Sequence, residues 1–386
     1  MPQFSKFAMM FMAIGTLALA ACSGSGSSSG MIPSGGSNSA SLAQNGSAAK
    51  GASRAASILQ FLDTETTIGS TVDPTNGDQN PYGLDIAKIS SGLIRVGDLV
   101  VCNFNDSENT QGNGTTVIAL HPTPGASPTH VAKDASLKGC DALALAPGGP
   151  IWAAAFVAND NPIVSPGGSV ISTLAGGPWH GPFGQAFSSR PTPFGNASFY
   201  ESNASDGSIV RINITNSGFT FNVIATGFAV NHGAPGSILG PSGLQYNNAT
   251  DTLYIVDGAN NSVVTFSGVS TIPAGGITVS GLTFSGAFAS RAHVLFSGSP
   301  LNGPISSALL SNGTVIVGNT SDPSGQNLMV ELSSTGSVLN VKNVDTGAAG
   351  AIFGMVAAQT STNPTPSSVK VYFNDDNDNT VKVLSQ

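Results

Sequence analysis

The sequence predicts an all-β fold, a six-bladed β-propeller of four-stranded antiparallel blades. Three observations predict it. A strand-and-turn unit recurs six times at near-even spacing. Apolar or β-branched runs of strand length alternate with Gly, Asn, Pro and Ser. Beyond the first 21 residues, no long amphipathic helical pattern occurs. Four-stranded units repeated around a ring leave few exposed edges, so such a repeat closes into a propeller.

The clearest unit reads Gly240-Pro241-Ser242-Gly243-Leu244-Gln245-Tyr246, then Thr252-Leu253-Tyr254-Ile255-Val256-Asp257, then Asn260-Asn261-Ser262-Val263-Val264-Thr265-Phe266. Its second strand ends in an Asx residue, with another Asx three positions on. The same pair follows Leu99–Cys102 as Asn103 and Asp106, and Phe199-Tyr200 as Asn203 and Asp206. It follows Val315–Val317 as Asn319 and Asp322, and Val371–Phe373 as Asn374 and Asn377. A degraded copy runs from Trp152 to Phe156 and Asn159. Markers at 103, 156, 203, 257, 319 and 374 are separated by 53, 47, 54, 62 and 55 residues. Asn and Asp side chains bond back to the local backbone and tolerate left-handed conformations. Turn chemistry therefore accounts for the motif better than six ligand sites.

In the third unit, strands are expected near Phe183–Ser188, Ala197–Glu201, Ile209–Ile214 and Phe219–Ala225. In the last, they are expected near Phe353–Ala358, Val369–Phe373 and Thr380–Leu384, with no fourth strand before Gln386. The apolar run Ala56–Leu62 is expected to supply it, locking both ends of the domain into one blade. Gly243-Leu244, Leu253–Asp257 and Asn260–Val263 resemble the NHL repeat, whose copies build six-bladed propellers. Asn80-Pro81-Tyr82-Gly83-Leu84 with Gly97–Val101 resembles a second copy. The resemblance covers 80–386 and implies a fold rather than an activity, because propellers host many functions.

Lys6 precedes an apolar run of 15 residues, Phe7 to Ala21. That is short of the roughly 20 a bilayer needs and has the form of a secretory signal peptide. It ends in Leu19-Ala20-Ala21-Cys22, which resembles the lipobox of bacterial lipoproteins. The resemblance implies cleavage before Cys22, a diacylglyceryl group on its thiol and usually an acyl chain on the new amine. Several acyl chains hold a protein on a bilayer far more firmly than one. Ser23, where Gram-negative inner-membrane lipoproteins commonly carry Asp, points to the outer membrane if the source is Gram-negative. Residues 22–55 are expected to be the lipidated Cys and a Ser/Gly/Ala tether, too poor in apolar residues to order itself. The propeller domain is expected over 56–386, as a monomer.

Without the signal peptide, 12 Lys and Arg face 21 Asp and Glu, a formal charge of −9. That balance excludes a nucleic-acid partner, which calls for a basic footprint. Cys102 and Cys140 are either one disulfide, permitted outside the cytosol, or two buried thiols. Five His residues sit in predicted loops. His180, His232 and His293 approach inner strands, and are either a converging set at the channel mouth or unrelated loop residues. His121 and His130 lie near the start of unit two. The run from Asn374 to Asn379 offers Asp375, Asp376 and Asp378 as oxygen ligands for Ca²⁺ or another divalent metal, or as a solvated turn. Only four Glu occur, Glu65, Glu108, Glu201 and Glu331, and only Glu201 falls in a predicted strand. Beyond the Ser/Gly tether no GxSxG elbow occurs, and no HExxH or Walker pattern occurs. The leading functional expectation is a membrane-anchored, non-catalytic module binding protein, peptide or glycan. The alternative is a metal-dependent propeller enzyme resembling lactonases or lyases.

Overall fold

Six inner strands open six blades in chain order, and every blade but the last is completed by strands that follow it. The structure, a computed structural model, describes residues 56–386 except Pro323 and Ala349. Cys22, the signal peptide and the tether lie outside the described residues. Blade one comprises Gln79–Ile86, Leu99–Asn105, Thr116–Leu120 and Thr129–Lys133. Blade two comprises Cys140–Leu145, Ile151–Ala155, Ile163–Val164 and Val170–Ser172. Blade three begins with Pro182–Ser188, Ala197–Asn203, Ser208–Thr215 and Gly218–Thr226. Blade four comprises Pro241–Asn247, Thr252–Asp257, Ser262–Ser267 and Ala292–Ser297, and blade five Ser306–Leu309, Val315–Gly318, Asn327–Leu332 and Val338–Asp345. Blade six comprises Ile352–Gln359, Val369–Asp375, Thr380–Ser385 and an N-terminal strand, Thr64–Ser70.

Five of the six inner strands share a small residue at a register shift: Gly83, Ala142, Gly184, Gly243 and Gly354 lie at or within such shifts. The reason is the closeness of the neighbouring blade. A Cβ on Gly184 would stand 2.0 Å from Ser242 O, and one on Gly354 would stand 2.3 Å from Tyr82 O. Ring closure at the axis thus depends on residues without bulk.

The Asx markers do more than shape a turn. Asn103 Nδ2 donates to Thr71 O at 3.0 Å, Asn203 Nδ2 to Pro178 O at 2.8 Å, and Asn319 Nδ2 to Pro300 O at 2.7 Å. Each acceptor lies in the segment arriving before that blade's inner strand, so the marker latches two parts of the ring. The second Asx makes the turn: Asp106 accepts from Thr110 N–H, Asp206 from Ser208 N–H and Asp322 from Ser324 N–H. By strand register, the equivalent positions in blades two and six are Ala155 and Asp375, paired with Cys140 and Ile352. Each is one residue from the sequence marker.

One expectation is corrected here. The ring closes through an N-terminal strand, but that strand is Thr64–Ser70, paired antiparallel with Thr380–Ser385, and not Ala56–Leu62. Leu59–Phe61 instead form one 3₁₀ turn. Ile58, Leu59 and Leu62 are buried in a core shared with Ile316, Met329, Val371 and Phe373. Three of five consecutive positions therefore face inward, and the 58/62 spacing suits a helical turn better than the alternation of a strand. The wide fourth gap holds an insertion. Ile277–Ser280 and Thr283–Ser285 form a hairpin that leaves blade four and joins blade three, with Ala225 paired in parallel to Ile277. Arg211, fully buried on blade three, anchors it: Nη1 donates to Ile272 O at 2.8 Å and to Val269 O and Ser270 O at 3.3 Å.

Candidate functional site

The axis is narrow and closed by aromatic rings. Tyr82, Phe183 and Phe353, each near the start of its inner strand, converge with Phe104, Ile238 and Ile305 in one buried cluster. Tyr82 stacks on Phe104 at 4.2 Å and on Phe353 at 3.7 Å between ring centroids. Beside this plug lies a cavity of about 70 Å³, lined by the inner strands of all six blades. A water occupies about 30 Å³ of liquid, and drug-sized ligands need about 300–1,000 Å³. The cavity takes an ion or a couple of waters, and excludes a sugar ring or a peptide side chain of any length.

Its wall is unevenly polar. Blade two places Asp141 where its neighbours place Tyr82 and Phe183, and both Asp141 carboxylate oxygens are buried without a hydrogen-bond partner. Burial pushes the Asp141 acid well up, and nearby Glu201 adds to the effect. Gln185 Nε2 donates to Glu201 Oε2 at 2.6 Å, as does Asn161 Nδ2 at 2.6 Å, so Glu201 ties blade two to blade three. Burial pushes Glu201 up as well, opposed by those two amides. With its Nε2 committed, Gln185 is left with Oε1 unpartnered; Ser306 Oγ and Ser307 Oγ are unpartnered too.

A larger cleft, about 490 Å³, lies where the face of blade four meets the turns of blade five. Hydroxyl and amide groups line it, among them Thr252, Thr265, Ser311, Asn312 and Ser334. Tyr254 and Leu295 add apolar surface, and no charged residue contributes.

The sequence-derived candidates scatter. His180 is exposed, 3.8 Å from Asp206, and His232 is exposed in the segment between blades three and four with φ of 52°. His293 is not in an inner-strand loop: it lies on the outer strand of blade four, opposite Thr265. None of the three lines the axial cavity. His121 Nδ1 stands 2.9 Å from Asp98, and His130, on the outer strand of blade one, has Nδ1 2.6 Å from Asp73. Asp375 and Asp378 hold Lys382, with Nζ at 2.5 and 3.2 Å, and Glu65 adds a third carboxylate at 3.7 Å. That run is thus served by a lysine. Asp376 is pushed up to about 7 by burial and by Asp375. Among the described residues, no three His, Cys, Asp or Glu side chains are grouped to hold a metal. Cys102 and Cys140 are joined as a disulfide between blades one and two, with Cα atoms 5.9 Å apart. Glu201 is not the only strand glutamate, since Glu331 lies on Asn327–Leu332 and Glu65 on Thr64–Ser70.

Sequence reasoning missed Asp141, Gln185, Ser306 and Ser307. The signal was present in the inner strands: Asn80-Pro81-Tyr82-Gly83, Gly181-Pro182-Phe183-Gly184, Gly240-Pro241-Ser242-Gly243 and Gly303-Pro304-Ile305-Ser306. Set beside them, Gly139-Cys140-Asp141-Ala142 puts an acid at an axial position that is aromatic in blades one, three and six.

No protein-family model matches the chain, and no curated protein matches it. Solved structures do. A catalytically inactive variant of virginiamycin B lyase from Staphylococcus aureus, with quinupristin, gives a TM-score of 0.48 at 13% identity, covering 84% of this chain and 98% of that one. A streptogramin B lyase gives 0.48 at 13%, covering 83% and 96%. A chain of a nidogen/laminin complex gives 0.47 at 12%, covering 72% and 92%. These likenesses concern the fold, and no residue role is carried over from them.

Proposed function

We propose that the protein is an exported, lipid-anchored binding propeller that takes a neutral glycan in the cleft between blades four and five. The contrast between the two cavities carries the reading. The axial cavity, at about 70 Å³, is too small for an organic ligand, whereas the cleft, at about 490 Å³, falls within the usual range. A wall of hydroxyls and amides with no charge pairs with sugar hydroxyls, and Leu295 offers apolar surface to a sugar's apolar face. A charged peptide would find no counter-ion there. The same lack of axial room disfavours a metal-dependent enzyme acting in the channel.

The test is an array of neutral and acidic oligosaccharides and peptides, probed with the full chain in detergent and with Thr265→Arg. The reading expects neutral glycans to bind and the variant to lose them at least tenfold. Binding of peptides or acidic glycans alone, or neutral-glycan binding that survives Thr265→Arg, overturns it. The anchor rests on the lipobox at Leu19–Cys22 and is tested separately. Cys22→Ala should abolish incorporation of labelled palmitate; incorporation that persists would refute it.

A further inference from the structure

The two ends of the ring carry opposite charge. One end holds the turns between second and third strands and the connections between blades. Its loops carry ten carboxylates, Asp73, Asp106, Asp206 and Asp322 among them, and among the described residues Lys138 is their only Lys or Arg. At the other end, the loops between first and second strands and between third and fourth strands carry Lys88, Arg95, Arg190 and Arg291 against Asp98 and Asp251. Both of those carboxylates are engaged within the fold. Asp98 accepts from Arg95 N–H at 2.7 Å and stands 2.9 Å from His121 Nδ1. Asp251 accepts from Tyr246 Oη at 2.9 Å and from Ser270 Oγ at 2.6 Å. The ion pairs of the described residues include neither Lys88 nor Arg95.

Lys88 and Arg95 sit on the first loop of blade one, residues 87–98, where Ile89, Leu93 and Val96 are 40%, 48% and 59% exposed. The loop is well bonded. Ala87 N–H donates to Asp98 O and Gly97 N–H to Ala87 O, both at 2.8 Å, and Leu93 N–H donates to Pro166 O of blade two at 2.9 Å. Ile94 is buried. Three aliphatic side chains are thus held outward on a fixed backbone, beside two unpaired cations. The described chain also enters the ring at this end. Thr64 pairs with Ser385, and Leu59 and Leu62 share a core with Leu310 and Val369.

We propose that the 87–98 loop seats the ring on an anionic bilayer, with Ile89, Leu93 and Val96 entering the headgroup region and Lys88 and Arg95 at the lipid phosphates. Exposed aliphatics flanked by Lys and Arg gain both apolar burial and charge attraction at such a surface. The carboxylate-bearing end is repelled by the same surface, so the charge asymmetry turns the ring one way. The proposal builds on the anchored reading, because a chain tethered at a bilayer meets it at high effective concentration, and a weak contact then suffices. Blade four lies across the ring from blade one, so this contact leaves the cleft between blades four and five uncovered.

The experiment places a tryptophan at either end of blade one, Leu93→Trp or Glu108→Trp, in the full chain; both positions are exposed. Each variant is reconstituted with excess vesicles of phosphatidylethanolamine and phosphatidylglycerol carrying brominated acyl chains, with the wild type as baseline for Trp152 and Trp179. Quenching of the added tryptophan should be at least threefold greater at position 93 than at position 108. It should fall at least threefold in brominated phosphatidylcholine alone, and by as much when Lys88→Glu and Arg95→Glu are added. Palmitate content and flotation with the vesicles report the anchor separately. A chain without palmitate refutes the anchor, and the comparison of positions 93 and 108 at excess vesicle still decides the loop. The proposal is overturned if the two positions are quenched alike, or if reversing both charges leaves quenching at position 93 unchanged.

Discussion

The backbone N–H of Ile58 donates to Glu331 Oε1 at 2.9 Å, across 273 residues of sequence. Leu59 N–H and Ser57 Oγ reach the other oxygen of the same carboxylate. Lys342, on the outer strand of blade five, donates to Leu62 O at 2.6 Å. The segment 57–62 is therefore pinned to blade five, and the strand that follows it completes blade six. The N-terminal part of the domain staples two blades.

Removing the staple should cost more than its length suggests. A chain beginning at residue 54 should unfold as the full chain does. One beginning at residue 64 loses the burial of Ile58, Leu59 and Leu62, each worth about 1.5–3 kcal/mol. It also leaves Glu331 buried without its donors. Glu331→Gln alone should cost about 1–3 kcal/mol in denaturant unfolding. Equal unfolding midpoints for chains starting at 54 and 64 would refute the staple.

The bond between Cys102 and Cys140 closes 38 residues between adjacent blades. The chain-entropy model assigns about 4 kcal/mol to a loop of that length. Thiol titration of unfolded, unreduced protein should find neither cysteine free, and Cys140→Ser should lower the melting temperature. Two titratable thiols would refute the pairing.

Arg211 should hold the inserted hairpin on blade three. Arg211→Met leaves three carbonyls without their buried donor and should cost about 2–4 kcal/mol. Hydrogen exchange should speed up in 269–285 and stay unchanged in blades one and six. Uniform acceleration would show that Arg211 supports the whole ring rather than the insertion.

Asp376 gives stability a pH signature. Its folded-state value, pushed up to about 7 from an ordinary 3.8, means that the folded protein holds a proton which the unfolded chain releases. That contribution is complete below about pH 4 and is lost as pH rises through about 7. Asp376→Asn should match the wild type at pH 3 and exceed it by up to about 4 kcal/mol at pH 8. An unchanged difference across that range would contradict the assignment.

The ring was readable because its repeat is local. Val, Ile and Tyr runs ending in Asx mark five second strands and the degraded Trp152–Phe156 copy marks the sixth, and all six appear within a residue of the expected place. The closing strand was misplaced because three of the seven residues of Thr64–Ser70 are Thr and its only strongly apolar residue is Ile68. Ala56–Leu62 looked more strand-like because its apolar residues are buried, but on a turn. The hairpin 277–285 joins a blade other than its own, a pairing that no local pattern encodes. His293 was read as a loop residue because blade four's outer strand follows the insertion. Asp141 was overlooked because the repeat was aligned on second strands, whereas the axis is built from first strands.

The central claim concerns where the ligand sits, and chemical-shift mapping tests it most directly. Backbone and Tyr254 ring resonances of the propeller would be followed while a neutral oligosaccharide is added. The account predicts perturbations at Thr252, Tyr254, Thr265 and Ser311–Gly313, with Tyr82, Gln185 and Phe353 unmoved. Perturbations confined to the axial residues, or the absence of any, would contradict it.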